Sequence, residues 1–257
     1  MRTAAGLKPT PRAEALWPRV RRALATLQRA LAPERFDPRA DAVNFRIAMA
    51  DATAALLAPW LVRAIESVQA AANLRVLPLT TRDPRTLLEQ GTADLAVGHF
   101  PDLIATLLTQ EQDTMLRHAR LYDTRYVCVM RRDHPLAHKK LTLDAFCAAH
   151  HLQVSFSGRP LSLIDRALAN IGRQRRIVLT VNQFFTAGRV VTQSDLLTVL
   201  PLSFLAATGR PGELATRELP FDPGAVHVEM VWHLRRDDDP AHRWLRDVLH
   251  SAVQAPT

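Results

Sequence analysis

The sequence predicts an α/β protein: two lobes of βαβ units facing a central cleft, preceded by a long helix. Three observations carry that expectation. Segments of strand and helix character alternate from residue 44 onward, the grammar of parallel sheets covered by helices. The alternation runs twice, over 44–100 and 151–201, and each half is the size of a small lobe. Ahead of both, Trp17, Val20, Leu24, Leu27 and Leu31 fall at spacings of 3, 4, 3 and 4, an a/d heptad seam.

The helix opens at Arg12, after Gly6, Pro9 and Pro11, and Pro33 stops it. Two heptads are too short to stand alone in water. The charged, proline-bearing segment 34–41 separates the seam from the rest of the chain, so a second molecule is the expected partner. Next come a strand at 44–51 and a helix at 53–71 with Thr53 as its N-cap, then a strand at 73–79, a short helix at 84–91 closed by Gly91, and a buried strand at 93–100. Residues 115–136 read as one long strand or a strand pair. Helix 141–150, strand 151–156, helix 161–172, strand 175–181, helix 183–193 and strand 195–201 repeat the pattern. Strands at 213–220 and 226–235 precede a last amphipathic helix at 240–253, with Pro240 in its first turn. The strands near 125–133 and 226–235 are the expected crossings between lobes.

The totals fit a globular chain. Of 257 residues, 47% are hydrophobic and 23% charged, enough for a core and unlike a disordered segment. The longest apolar stretches stop well short of the ~20 residues that span a bilayer. No apolar run follows the N-terminal basic residues, so neither a membrane span nor an export signal is expected. Cys128 and Cys147 match no zinc or redox spacing and read as reduced residues of a cytoplasmic protein. The net charge of +8 is concentrated: residues 1–40 carry nine basic and three acidic side chains, and the remaining 217 residues are close to neutral. Such a patch is either the footprint of a polyanion partner or a solvated helix face.

No sequence motif argues for catalysis. The chain has no HExxH, no Gly-x-Ser-x-Gly, no P-loop and no Gly-x-Gly-x-x-Gly, and neither a metal nor a cofactor is expected. Asp237–Asp239 reads as a solvated turn. What remains is four strand-to-helix junctions, "MADATA" (49–54), "GHFP" (98–101), "SFSG" (155–158) and "VNQFF" (181–185). In open α/β sheets ligands bind where strands end and helices begin. These junctions bring Asp51, Thr53, Gly98, His99, Phe100, Phe156, Ser157, Asn182, Gln183 and Phe184 to the cleft. Helix starts at Thr53, Leu161 and Gln183 would aim free amides at an anion such as a carboxylate. Phe100, Phe156, Phe184 and Phe185 could flank a flat apolar body. Phe184 and Phe185 as core, and Thr53 as a cap alone, are equally open at this point.

Six stretches in order, "PTPRAEAL" (9–16) with the seam helix, "FRIAMAD" (45–51), "GTADLAVG" (91–98), "YVCVMRRDHPLA" (126–137), "SDLLTVLP" (194–201) and "DPAHRWLRD" (239–247), resemble LysR-type transcriptional regulators. The nodulation and aromatic-catabolism regulators are the branch most alike. The resemblance implies two Rossmann-like lobes of the type 2 periplasmic-binding-protein kind behind a dimerising linker helix. It implies a remnant of a DNA-binding wing at 1–11, the linker helix at 12–33, lobe I at 43–128 with 232–257, and lobe II at 129–231. The DNA-reading helices would precede Pro9 and are expected to be missing, so DNA contact would come only through that absent winged helix-turn-helix. A homodimer or homotetramer that senses a small organic inducer, aromatic or carboxylate, is implied. Inducer contacts map by resemblance to Asp51, Thr53, His99, Phe100, Phe156, Ser157, Gln183 and Phe184, with His233 added at the second crossing. Gln183 at a position where such relatives carry an imidazole favours an uncharged or amide-compatible ligand over a salicylate-like one.

Three alternatives compete. A two-lobed solute-binding protein predicts an export signal and no heptad helix, the reverse of what the chain carries. A stand-alone ligand-binding modulator without DNA contact shares every feature above. An enzyme on the same lobes would have to rely on Asp51 with His99, a weak pair.

Overall fold

The computed structural model describes residues 2–3, 6–7, 10–30, 35–109, 114–156 and 162–254. β1 (Arg2–Thr3) and β2 (Gly6–Leu7) pair antiparallel ahead of α1 (Pro11–Ala30). Pro11 opens that helix rather than preceding it, because its missing N–H costs nothing at a first helical position. Trp17, Val20, Leu24 and Leu27 are all exposed, at 54%, 45%, 48% and 58%; Leu31 and the stop at Pro33 lie outside the described residues.

The first lobe is built from β3 (Val43–Met49), α2 (Asp51–Val68), β4 (Ala72–Pro78), α3 (Arg85–Glu89), β5 (Leu95–Gly98), α4 (Pro101–Thr109) and β6 (Leu116–Thr124). The second holds β7 (Tyr126–Arg131), α5 (Leu143–Ala148), β8 (His150–Val154), α6 (Leu163–Asn170), β9 (Arg176–Val181), α7 (Phe184–Val191), β10 (Leu197–Pro201) and β11 (Leu214–Glu218). The chain then returns through β12 (Val226–His233) and α8 (Pro240–Gln254) to the first lobe. Strand order is β4-β3-β5-β12-β6 in one sheet and β11-β7-β10-β8-β9 in the other.

Both sheets are mixed, not parallel as expected. β4, β3 and β5 run parallel, as do β9, β8 and β10. In each lobe the strand that arrives from the other side enters antiparallel: β12 against β5 and β6, and β7 against β10 and β11. The two lobes therefore share one plan, four strands of one direction with a single opposed strand, β12 or β7, set between the third and the fourth.

This placement moves the expected lobe boundaries. β7 belongs wholly to the second sheet and β12 wholly to the first. The chain changes lobes at Arg125 and again between Glu218 and Val226, so 128/129 and 231/232 fall inside strands. The strand expected at 226–235 ends at His233 and lies inside lobe I rather than bridging the lobes, since β12 is flanked by β5 and β6. Two further differences are local. α2 starts at Asp51 after the cap residue Ala50, so Thr53 lies inside the first turn, 1% exposed, and caps nothing. The helix behind the junction at 98–101, α4, is one to which the strand-helix pattern assigns no bounds.

Alternation along the strands assigns the cores, as a period of two requires. Phe45, Ile47 and Met49 pack with Leu57 and Leu61 of α2 and Leu245 and Leu249 of α8. The opposite face, through Ala48 and Ala96, meets Leu88 of α3 and Leu103 and Leu107 of α4. In lobe II, Val127 and Val129 face Ala187 and Val191 of α7, while Cys128 and Met130 face Phe146 of α5 and Leu168 of α6. Ala52 of α2 is buried within the lobe II cluster, so this helix is where the lobes touch. Both cysteines are free, and burial pushes the Cys128 thiol up to about 12.

Candidate ligand site between the lobes

Since both sets of parallel strands end toward the same gap, their loops and helix starts enclose a cavity of about 380 Å³. Lobe I contributes Ala50 and Thr53 from the start of α2, 79–82 after β4, 98–100 after β5, and Val226 and Val228 from the start of β12. Lobe II contributes Tyr126, 152–156 at the end of β8, Ser162–Ile164, Arg166 and Arg175, Phe184, and Val199, Pro201 and Phe204. Ligands in open α/β sheets bind at such strand ends.

Of the expected site residues, Thr53, Gly98, His99, Phe100, Phe156 and Phe184 all line this cavity. A Cβ at Gly98 would sit 2.9 Å from Phe100 Cζ and 3.1 Å from Leu79 Cδ2, so a side chain there would have to displace those two wall residues. The rings of Phe156 and Phe184 stand 5.7 Å apart and those of Phe184 and Phe204 4.9 Å apart. Phe184 is thus both core and cavity wall, whereas Phe185 is 54% exposed and lies outside.

Four expected residues are elsewhere. Asp51 stands behind the wall, where its Oδ2 accepts the Phe184 backbone N–H at 3.0 Å and so links α2 to α7 across the lobes. Asn182 and Gln183 are exposed; Gln183 precedes α7 and its Oε1 accepts the Thr186 hydroxyl at 3.3 Å. His233 is buried at the wrong end of β12. That strand runs antiparallel to β5, so Val226 and Val228 reach the cleft, and the His233 Nδ1 instead accepts the Arg235 N–H at 3.1 Å. Ser157 and Leu161 lie outside the described residues.

The polar groups of the cavity divide by lobe. On lobe I, His99 Nδ1 lies 2.9 Å from the His227 carbonyl oxygen. A carbonyl can only accept, so Nδ1 carries the proton and Nε2 is left as an acceptor. Burial holds the His99 pKa below its ordinary value, against the pull of that hydrogen bond; the ring is neutral at pH 7. On lobe II, Ser162 caps α6 in a reciprocal box with Asp165, its Oγ accepting the Asp165 N–H while Asp165 Oδ2 accepts the Ser162 N–H at 2.8 Å. Arg175 reaches back from the foot of β9 to donate from Nε to Asp165 Oδ1 at 2.8 Å and from Nη2 to Ser162 Oγ at 3.3 Å. Burial alone would raise the Asp165 pKa, but the Arg175 bond and charge, with Ser162, bring it below the usual carboxylate range. At the mouth, burial raises the Tyr126 pKa while the Arg82 charge and hydrogen bond oppose it.

Thr80, Thr81 and Arg82 carry a sequence signal: "LTTRD" (79–83) follows β4, so it is a strand end like the other four junctions. Arg166 and Arg175 had none. Among the described residues no group of three or more His, Cys, Asp or Glu could hold a metal ion. No helix among them is long and apolar enough to cross a membrane.

Comparison with known proteins agrees with this geometry. A family model described as the LysR substrate binding domain matches residues 40–254. The HTH-type transcriptional activator NahR of Pseudomonas putida is 30% identical over 250 residues, covering 97% of this chain and 80% of that protein. The HTH-type transcriptional regulator LinR of Sphingobium indicum is 32% identical over 259 residues, covering 99% and 82%. Among solved structures, the probable transcriptional regulator PA0477 of Pseudomonas aeruginosa superposes with a TM-score of 0.73 at 27% identity, covering 98% of this chain and 80% of that one.

Proposed function

The chain belongs to the LysR family, with residues 40–254 forming its substrate-binding domain, and we propose on that premise that a small organic inducer binds in the cavity between the lobes. The chain is the effector-binding portion of a transcriptional regulator; its relatives are HTH-type regulators. The observation that carries the site assignment is that both lobes wall one cavity at their strand ends.

A ligand there touches lobe I through Thr53, His99 and Phe100 and lobe II through Phe156 and Phe184. It therefore binds the closed arrangement more tightly than an open one and shifts the population toward closure. The Asp51–Phe184 bond joins the same two helices and moves with them. The exposed seam Trp17, Val20, Leu24 and Leu27 pairs two copies and carries the lobe movement between them. DNA contact by the assembled regulator, in the cytoplasm, completes this reading.

The test is a thermal-unfolding screen of small acids, amides and phenols on wild-type protein and on Thr80→Trp, which places an indole at the exposed rim. Stabilising compounds are expected for the wild type, and Thr80→Trp should lose most of their effect. Equal stabilisation of both proteins would place the binding site elsewhere.

A further inference from the structure

Arg175 is buried with one donor group unused. Its side chain is 2% exposed, and it lines the cavity. Nε and Nη2 are engaged by Asp165 and Ser162, but Nη1 is buried with no hydrogen-bond partner among the described residues. A buried charged donor left unsatisfied is costly, and such groups are few in native proteins. Asp165 accepts from Arg175 through Nε alone, at Oδ1, while its Oδ2 accepts from Ser162, and neither oxygen makes a hydrogen bond with Nη1.

The surroundings favour an anion. Arg82, Arg166 and Arg175 line the cavity, and none of its described lining residues is a carboxylate. α6 begins beside Arg175, and Leu163 and Ile164 of its first turn line the same wall. First-turn amides have no intrahelical partner and carry the positive end of the helix dipole. The rest of the lobe II wall combines Tyr126, Gln153 and Ser155 with an apolar stretch in which the rings of Phe156, Phe184 and Phe204 pack in succession. Across from them, lobe I offers hydroxyls of Thr53 and Thr80 and the neutral acceptor Nε2 of His99.

We propose that the effector is an organic carboxylate that docks first on lobe II, its carboxylate on Arg175 Nη1 at the start of α6 and its flat body on the phenylalanine wall. Lobe I then closes on the far side of the ligand, where His99 accepts a hydrogen bond from a donor group. This rests on the cavity being the effector site, and it reverses the expectation of an uncharged ligand: that expectation hung on Gln183, which lies outside the cavity.

Matched pairs of probes separate charge from shape. Benzoate and cinnamate would be titrated calorimetrically into the wild type beside benzamide and cinnamamide. The same titrations would follow on Arg175→Lys and on the double variant Asp165→Asn with Arg175→Gln. The double variant removes both members of the ion pair, so no buried charge is orphaned, and Arg175→Lys keeps a cation beside Asp165. In the wild type the acids should bind about tenfold or more tightly than the amides, the scale of one charge-assisted hydrogen bond. The double variant should lose that preference while amide binding stays within about twofold, and Arg175→Lys should lose part of it.

Equal binding of acids and amides by the wild type, or an acid preference that survives in the double variant, overturns the carboxylate assignment and leaves the cavity reading standing. Displacement of benzoate by equimolar inorganic phosphate overturns it in favour of a phosphate ligand. If neither acids nor amides bind, this inference falls, and the neutral compounds of the Thr80→Trp screen decide separately whether the cavity reading falls with it.

Discussion

Single residues set several of the molecule's responses. Asp51 is the first residue of α2, yet its carboxylate serves α7 in the other lobe by accepting the Phe184 N–H. Asp51→Ala should cost about 1 kcal/mol, as loss of a helix cap does, measured as a lower urea midpoint. Gly188 has no room for a methyl group, since a Cβ would stand 2.4 Å from Thr208 Cβ and 2.5 Å from Thr208 O. Gly188→Ala should therefore destabilise by about 2 kcal/mol or more, the scale of overpacking. His151 and His242 are both buried, and burial pushes each pKa down to about 4 despite hydrogen bonds from Nε2 to the Phe146 and Asp94 carbonyls. Each is neutral when folded but takes up a proton near pH 6.5 when unfolded. Stability is therefore full above pH 6.5, falls as the pH drops toward 4, and loses about 3 kcal/mol per histidine over that window. Urea midpoints at pH 7.5, 6 and 5 should show that fall, and a His242→Gln variant should show a shallower one.

Among the elements, the seam helix and the junction loops were legible in the sequence because each depends on local spacing. Trp17, Val20, Leu24 and Leu27 follow the heptad and stay exposed, so their apolar face is left for a partner to cover. Changing Leu24 and Leu27 together to Asp should halve the mass seen by light scattering if the seam joins two copies; an unchanged mass would remove α1 from the interface. α4 is a short helix behind the "GHFP" junction: Pro101 suits a helix's first position, and Leu103 and Leu107, one turn apart, supply the buried face. The direction of β12 was illegible in the sequence. Its alternation marks a strand but not its neighbours, and only pairing with β5 and β6 turns Val226 toward the cleft and His233 away from it.

At the scale of the whole molecule, the two-lobed plan and the location of the cleft follow from the repeated strand-helix order. Six of the expected site residues meet in one cavity because each stands at a strand end or at the helix start that follows it. Arg175 could not be found that way. It stands at the opposite end of its strand and enters the site only by the reach of its side chain, held by Asp165 and Ser162. Arg166, Arg175 and the rings of Phe156, Phe184 and Phe204 on lobe II, facing Arg82, the Thr53 and Thr80 hydroxyls and the neutral His99 on lobe I, give a ligand a reason to hold the lobes together. Hydrogen–deuterium exchange with and without the best stabilising organic acid tests this most directly. Slower exchange is expected at once on both walls, at 79–82 and 98–100 of lobe I and at 152–156 and 163–166 of lobe II. Protection confined to one lobe, or to α1, would contradict it.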